Sequence, residues 1–122
     1  MTQTGTMAPM SKAMQDCVAA CMSCHTMCEE TMSSCMSMGS GGQDRMQIMR
    51  ALIDCSEMTR MCADMMMRRS PLAAEMSAMC ARACDMCAQA CMSMPDDPQM
   101  IRCAESCRRC AEMCRAMAGA SA

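Results

Sequence analysis

Four cysteines at the spacing C-x3-C-x2-C-x3-C occur three times in this chain, as Cys17/Cys21/Cys24/Cys28, Cys80/Cys84/Cys87/Cys91 and Cys103/Cys107/Cys110/Cys114. Alternating steps of four and three hold a side chain on one face of an α-helix, because about 3.6 residues complete a turn. Each copy therefore lays its thiols in a row where a bundle helix normally places Leu and Ile. A core lined by such rows is suited to a soft metal.

The composition leaves little else to build a core from. At 122 residues the chain fits one domain with a modest interior. It contains no Phe, Tyr or Trp, and its branched aliphatics are Val18, Ile48, Leu52, Ile53, Leu72 and Ile101. Met (24), Cys (15) and Ala must supply the remaining apolar packing. Met is flexible and small Cys and Ala side chains bury little area. The metal-free protein is therefore expected to fix few core rotamers and to gain stability on binding a ligand. Asn is absent too, which marks a reduced or altered alphabet.

A formal charge of −2 and a pI near 5.3 exclude a nucleic-acid partner, since affinity for phosphates requires clustered positive charge and stacking surfaces. The basic residues are interleaved with acids at i,i+3 and i,i+4, as in Glu57/Arg60/Asp64/Arg68, Glu105/Arg109 and Arg108/Glu112, which predicts a solvated outer face. No apolar run is long enough to cross a bilayer, and the N-terminus lacks a basic region followed by an apolar core. A soluble, cytoplasmic protein without a membrane partner is expected.

Punctuation divides the chain into four periodic segments. Residues 1–8 read as a loose tail, a bundle as 9–118, and a short tail as 119–122. Pro9 and Ser11 offer a start for helix one, whose stripe runs Met10, Met14, Cys17, Cys21, Cys24, Cys28, Thr31, Cys35, Met38 to a stop at Gly39-Ser40-Gly41-Gly42. Helix two carries Ile48, Leu52, Cys55, Thr59, Cys62 and Met66 as far as Arg68-Arg69, where basic residues suit the negative end of the dipole. Ser70-Pro71 predicts a cap and first turn for helix three, with Ala73, Ser77, Cys80, Cys84, Cys87, Cys91 and Met94 on its stripe. Asp97-Pro98 repeats that signal for helix four, with Met100, Cys103, Cys107, Cys110, Cys114 and Met117, ending at Gly119. Short connections predict an all-α, antiparallel up-down-up-down four-helix bundle with a Cys-lined core. Ile48 and Leu52 place a hydrocarbon-rich region near residues 39–43, and Met10, Met14, Met66 and Met117 fall at the opposite mouth.

Two cysteines at i,i+4 can share one metal ion without moving the backbone. Cu(I) suits them: it is soft, accepts two or three thiolates, and one ion per thiolate leaves a buried cluster nearly neutral. Bridging thiolates would bring capacity toward the thiol count, about 15 ions per chain. Four other readings stand beside this one. A disulfide-stapled structural bundle would use the cysteines differently, although their number is odd and oxidation does not require same-face spacing. A general thiolate buffer for Zn or Cd, resembling a metallothionein in role, would need tetrahedral sites carrying a net −2 charge. Iron–sulfur ligation favours Gly- and Pro-containing turns over continuous helix faces. Redox catalysis by C-x-x-C normally sits in a βαβ context that is not visible here, so no enzyme activity is expected.

Methionines at the stripe ends read first as core plugs, with Met10, Met14, Met66 and Met117 as a possible thioether-lined way in for copper. Off-stripe Met22, Met36, Met61, Met79 and Met92 are expected to be partly exposed, which suggests lateral association of bundles. His25, one position off the stripe, reads as a boundary residue, with a metal-entrance role as its functional alternative.

The cysteine repeats, Ser70-Pro71-Leu72 and the run from Cys103 to Arg115 (Cys-Ala-Glu-Ser-Cys-Arg-Arg-Cys-Ala-Glu-Met-Cys-Arg) together resemble the bacterial copper storage proteins, over residues 14 to 117. The resemblance implies multiple Cu(I) ions held inside the bundle and a homotetramer; copper ions and copper chaperones are the expected partners. It assigns as ligands Cys17, Cys21, Cys24, Cys28, Cys35, Cys55, Cys62, Cys80, Cys84, Cys87, Cys91, Cys103, Cys107, Cys110 and Cys114. The chain departs from the family in its lack of aromatics and its excess of Met.

Overall fold

The computed structural model describes residues 9–37 and 43–120. It contains four helices: α1 (Lys12–Ser37), α2 (Gln43–Met67), α3 (Ala73–Cys91) and α4 (Pro98–Ala120). Each helix packs its backbone against two neighbours in the ring α1–α2–α3–α4, and the diagonal pairs meet only through side chains at the axis, as where Cys55 on α2 reaches Cys107 on α4. Contacts run late-to-early between neighbours. Cys17 on α1 meets Cys114 on α4, Cys62 on α2 meets Ser77 on α3, and Gln99 on α4 reaches Thr31 on α1. This is the antiparallel bundle that the short connections predict. The predicted tail at 1–8, Met38, the stop at residues 39–42 and the last two residues lie outside the described residues.

Local signals set most of the ends. Ser11 caps α1, its Oγ accepting the Met14 amide at 3.1 Å, and Asp97 caps α4, its Oδ1 accepting the Gln99 amide at 2.9 Å. Pro98 then takes the first helical position, where its missing N–H costs nothing. The Ser70-Pro71 signal acts differently from the expectation. Ser70 Oγ accepts the Leu72 amide at 3.1 Å and its carbonyl accepts the Ala73 amide at 3.1 Å. These bonds close a turn over Pro71-Leu72, and α3 begins only at Ala73. At the other end, α4 continues through Gly119 to Ala120. Nothing crowds Gly119, so no constraint forces the helix to stop there.

α2 ends without glycine. Arg69 takes φ 52°, the Ser70 amide bonds back to the Met65 carbonyl at 2.9 Å, and the Arg69 amide bonds to the Met66 carbonyl at 3.0 Å. This double bond pattern closes a helix around a left-handed residue, a position where Gly is normally found. The Arg69 guanidinium also donates to the Met67 carbonyl at 2.5 Å.

The core is a column of sulfur. All fifteen cysteines are buried, together with Ala63, Ala81, Ala88, Ala104 and Ala111, whose small side chains sit among them. Hydrocarbon closes one end of the column: Ile48, Leu52, Met32 and Met100 are all buried beside Thr31. The charged outer face predicted from i,i+4 spacing is solvated, but the expected pairs do not bridge. Among the described residues the ion pairs are Lys12–Asp16 at 3.2 Å and Arg115–Asp85 at 2.6 Å, the second joining α4 to α3. Exposed pairs of this kind contribute little, so burial rather than surface charge holds the bundle.

Candidate metal centre

Continuous helix faces put the thiols within reach of one another across the helix seams. Cys24 Sγ lies 3.7 Å from Cys107 and 3.8 Å from Cys55, and Cys55 lies 3.7 Å from Cys84 and 3.9 Å from Cys107. Nearer the α1 N-terminus, Cys21 lies 3.7 Å from both Cys110 and Cys114, while Cys17 lies 3.9 Å from Cys114. A disulfide has sulfurs about 2.05 Å apart, so these are contacts between separate thiols. All fifteen cysteines are free.

Four sets of sulfurs lie mutually within 4.8 Å: Cys28/Cys87/Cys103/Cys107, Cys24/Cys28/Cys55/Cys107, Cys24/Cys84/Cys110 and Cys21/Cys80/Cys110/Cys114. Successive sets share members. Cys28 and Cys107 join the first to the second, Cys24 joins the second to the third, and Cys110 joins the third to the fourth. The result is one continuous string of eleven thiols along the bundle axis. Cys17 and Cys62 extend it toward the mouth: Cys17 touches Cys114, and Cys62 lies 3.7 Å from Ser77 Oγ. Cys91 lies at the other end, where hydrogen bonding with Cys103 and Cys87 pushes its thiol up. Cys35 stands apart from all four sets.

Hydroxyls interrupt the lining where α1 and α2 carry threonine. Thr31 Oγ1 donates to the Met27 carbonyl at 2.7 Å and Thr59 Oγ1 to the Cys55 carbonyl at 2.7 Å, so each folds onto its own helix. Thr31 also accepts from Gln99 Nε2 at 2.9 Å, which pins α4 to α1 at the closed end.

The electrostatics favour a monovalent soft ion. No charged side chain is buried among the described residues; the buried polar groups are Thr31, Ser56, Thr59, Ser77 and Ser106. The thiols divide by their role in the sulfur hydrogen-bond network. A bond from Cys107 helps lower Cys103 to about 5, and one from Cys110 helps lower Cys84 to about 7. Cys55, Cys107 and Cys110 are pushed up instead, first by their bonds to Cys107, Cys103 and Cys114 respectively and then by burial. With no cation nearby to offset thiolate charge, only ions that neutralise thiolates about one for one can fill the column at low electrostatic cost.

The other sequence candidates separate into two places. Met14, Met66 and Met117 line one cavity of about 360 Å³ with Arg69 and Ser77, at the end of the column where Cys17 and Cys62 lie. Met10 is outside that lining. His25 is elsewhere, half-buried at the middle of the α1–α2 seam, with Nδ1 2.8 Å from the Ser56 carbonyl and 3.1 Å from Ser56 Oγ. Ser56 Oγ in turn donates to Glu29 at 2.5 Å. His25 is therefore committed to joining two helices, roughly 16 Å along α1 from Met14. Ser56 was not legible as its partner because nothing in spacing alone sets the register between α1 and α2.

Fold and site together define a helical bundle whose interior is a metal-binding thiol column. A family model of the copper storage proteins matches residues 10–119. The chain belongs to that family. No curated protein matches it by sequence. Among solved structures it is similar to Cu(I)-bound copper storage protein BsCsp3, at 28% identity over 88% of this chain and 99% of that one, with a TM-score of 0.81. It is similar as well to apo copper storage protein 3 from Bacillus subtilis, at 28% identity over 85% and 97% of the two chains, TM-score 0.78. A protein from Nitrosospira multiformis aligns at 28% identity over 89% and 97%, TM-score 0.79. No helix among the described residues is long and apolar enough to cross a membrane.

Proposed function

We propose that this chain holds its copper as a buried multi-ion Cu(I)–thiolate cluster, with the eleven thiols of the axial string as principal ligands and Cys17, Cys62 and Cys91 extending it. The observation that carries this reading is the sharing of Cys24, Cys28, Cys107 and Cys110 between neighbouring sets. A sulfur that belongs to two sets can bridge two ions, and bridging is what lets capacity approach the number of thiols rather than a quarter of it. The protein acts as a binding protein and not as an enzyme. Copper enters past Met14, Met66 and Met117, whose thioethers bind Cu(I) more weakly than thiolates and so pass it inward. Free thiols in this number require a reducing compartment, which supports a cytoplasmic location and exchange with copper chaperones. Exposed Met22, Met36, Met61 and Met79 support side-by-side association, with a tetramer as the form the family resemblance implies.

Zinc or cadmium buffering is the competing reading, favoured by one observation. Sulfur separations of 3.7 to 3.9 Å match the edges of a tetrahedral site with metal–sulfur bonds of about 2.3 Å. Anaerobic titration separates the two. Copper storage gives uptake near one Cu(I) per thiol, whereas divalent buffering saturates near one ion per four thiols. Saturation with copper at about a quarter of the thiol count would overturn the storage reading.

A further inference from the structure

Cys35 is the one cysteine that the axial string leaves unused. It lies on α1 seven residues beyond Cys28, roughly 10 Å along the helix, at the level of Met32, Ile48, Leu52 and Met100, which close the column. Its thiol is 2% exposed and makes no hydrogen bond among the described residues. It lines a cavity of about 360 Å³ on the α1–α2 face together with Met36, Met46 and Met49, with Arg45 and Arg50 also lining it. Residues that carry one thiol and three thioethers thus line a single cavity, and two of them, Met36 and Met46, are 68% and 57% exposed.

We infer that Cys35, Met36, Met46 and Met49 form a second, independent site for one soft monovalent cation, Cu(I) or Ag(I). The chemistry of the donors decides the class of ion. Thioethers are neutral and soft, bind Cu(I) and Ag(I), and offer nothing to Zn²⁺, Mg²⁺ or Ca²⁺. Binding replaces the Cys35 proton by the metal: the S–H bond breaks, the proton passes to solvent, and a sulfur–metal bond forms without change of oxidation state. One thiolate and one monovalent ion leave the site neutral. Arg45 favours the thiolate against the burial that pushes the Cys35 thiol up.

With a single thiolate and no bridging, this site binds more weakly than the column. It is the last to fill and the first to empty.

The test loads the whole protein with Cu(I) anaerobically to saturation and then mixes it with a Cu(I)-selective chelator, following release with time. A fast phase of about one ion per chain is expected ahead of the slow bulk. Cys35→Ala, and separately Met36→Leu with Met46→Leu and Met49→Leu, should each abolish that phase and lower capacity by about one ion. Met61→Leu with Met79→Leu, exposed thioethers outside that cavity, should leave its amplitude unchanged. In the unsubstituted protein labelled at its methionine methyls, the Met46 and Met49 signals should move only with the last equivalent of metal. A fast phase that survives both sets of changes, or methyl signals that never move, overturns the inference. Either result leaves the slow bulk uptake untouched and so does not bear on storage in the column.

Discussion

Cys24 on α1 and Cys107 on α4 place their sulfurs 3.7 Å apart, and each belongs to two of the four thiol sets. They are therefore two of the four joints of the column, beside Cys28 and Cys110. If either were lost, two ions rather than one would lose a ligand.

That asymmetry can be measured. Cys24→Ser with Cys107→Ser should reduce Cu(I) capacity by more than Cys17→Ser with Cys62→Ser, although both pairs remove two thiols. Cys84→Ser with Cys87→Ser, one member from each of two sets, should fall between them. Helical content by circular dichroism should persist throughout, since Ser fills nearly the same volume. Equal losses for all three pairs would mean that the thiols act independently.

The mouth makes a kinetic claim. Replacing Met14, Met66 and Met117 with Leu keeps the cavity apolar but removes its thioethers, so stopped-flow loading should slow while final capacity stays constant. An unchanged rate would reduce these residues to packing.

Thiol ionisation sets a pH dependence for the metal-free protein. Nine cysteines are held above their ordinary value: Cys17, Cys21, Cys28, Cys35, Cys55, Cys80, Cys91, Cys107 and Cys110. For a group whose folded pKa is raised, the stabilising contribution is complete below the unfolded pKa, about 8.5. It is lost as pH climbs beyond that, because the unfolded chain then binds fewer protons than the native one. Groups lowered in the fold, such as Cys84 at about 7 and Cys103 at about 5, make their full contribution above pH 9 and cannot offset the loss further up. The apo Tm should therefore drop as pH rises past about 9. Copper-loaded protein, whose ligands are already deprotonated, should show a much flatter profile. An apo Tm that rises over that range would contradict the network.

Arg69 offers a stability test away from copper. It holds the left-handed position that ends α2, which costs a residue with a Cβ about 1 kcal/mol relative to glycine. Arg69→Gly should raise apo stability by up to ~1 kcal/mol, less whatever the guanidinium bond to Met67 contributes. Chemical denaturation measures the difference.

The helical faces were legible because period and spacing act within one segment. Cys17 through Cys28 share a face whatever surrounds them, and every cysteine placed on a stripe is buried. What one segment cannot encode is axial register against its neighbours. Cys35 continues the α1 stripe faithfully, yet the other helices present Leu52, Ile48 and Met100 at that level instead of sulfur. The same gap hid Ser56 from His25 and left unstated which thiols would be shared. Ser70-Pro71 misplaced the start of α3 for a different reason: Ser followed by Pro closes a turn as readily as it caps a helix, and here the Ser70 side chain bonds to Leu72 within a turn.

The most direct test is anomalous diffraction at the copper edge from crystals of the fully loaded protein. A file of copper peaks along the bundle axis, flanked in order by Cys28 and Cys107, then Cys24, then Cys110, is the predicted result. Copper confined to the surface, or a column closed by Cys–Cys bonds with no metal between them, would contradict it.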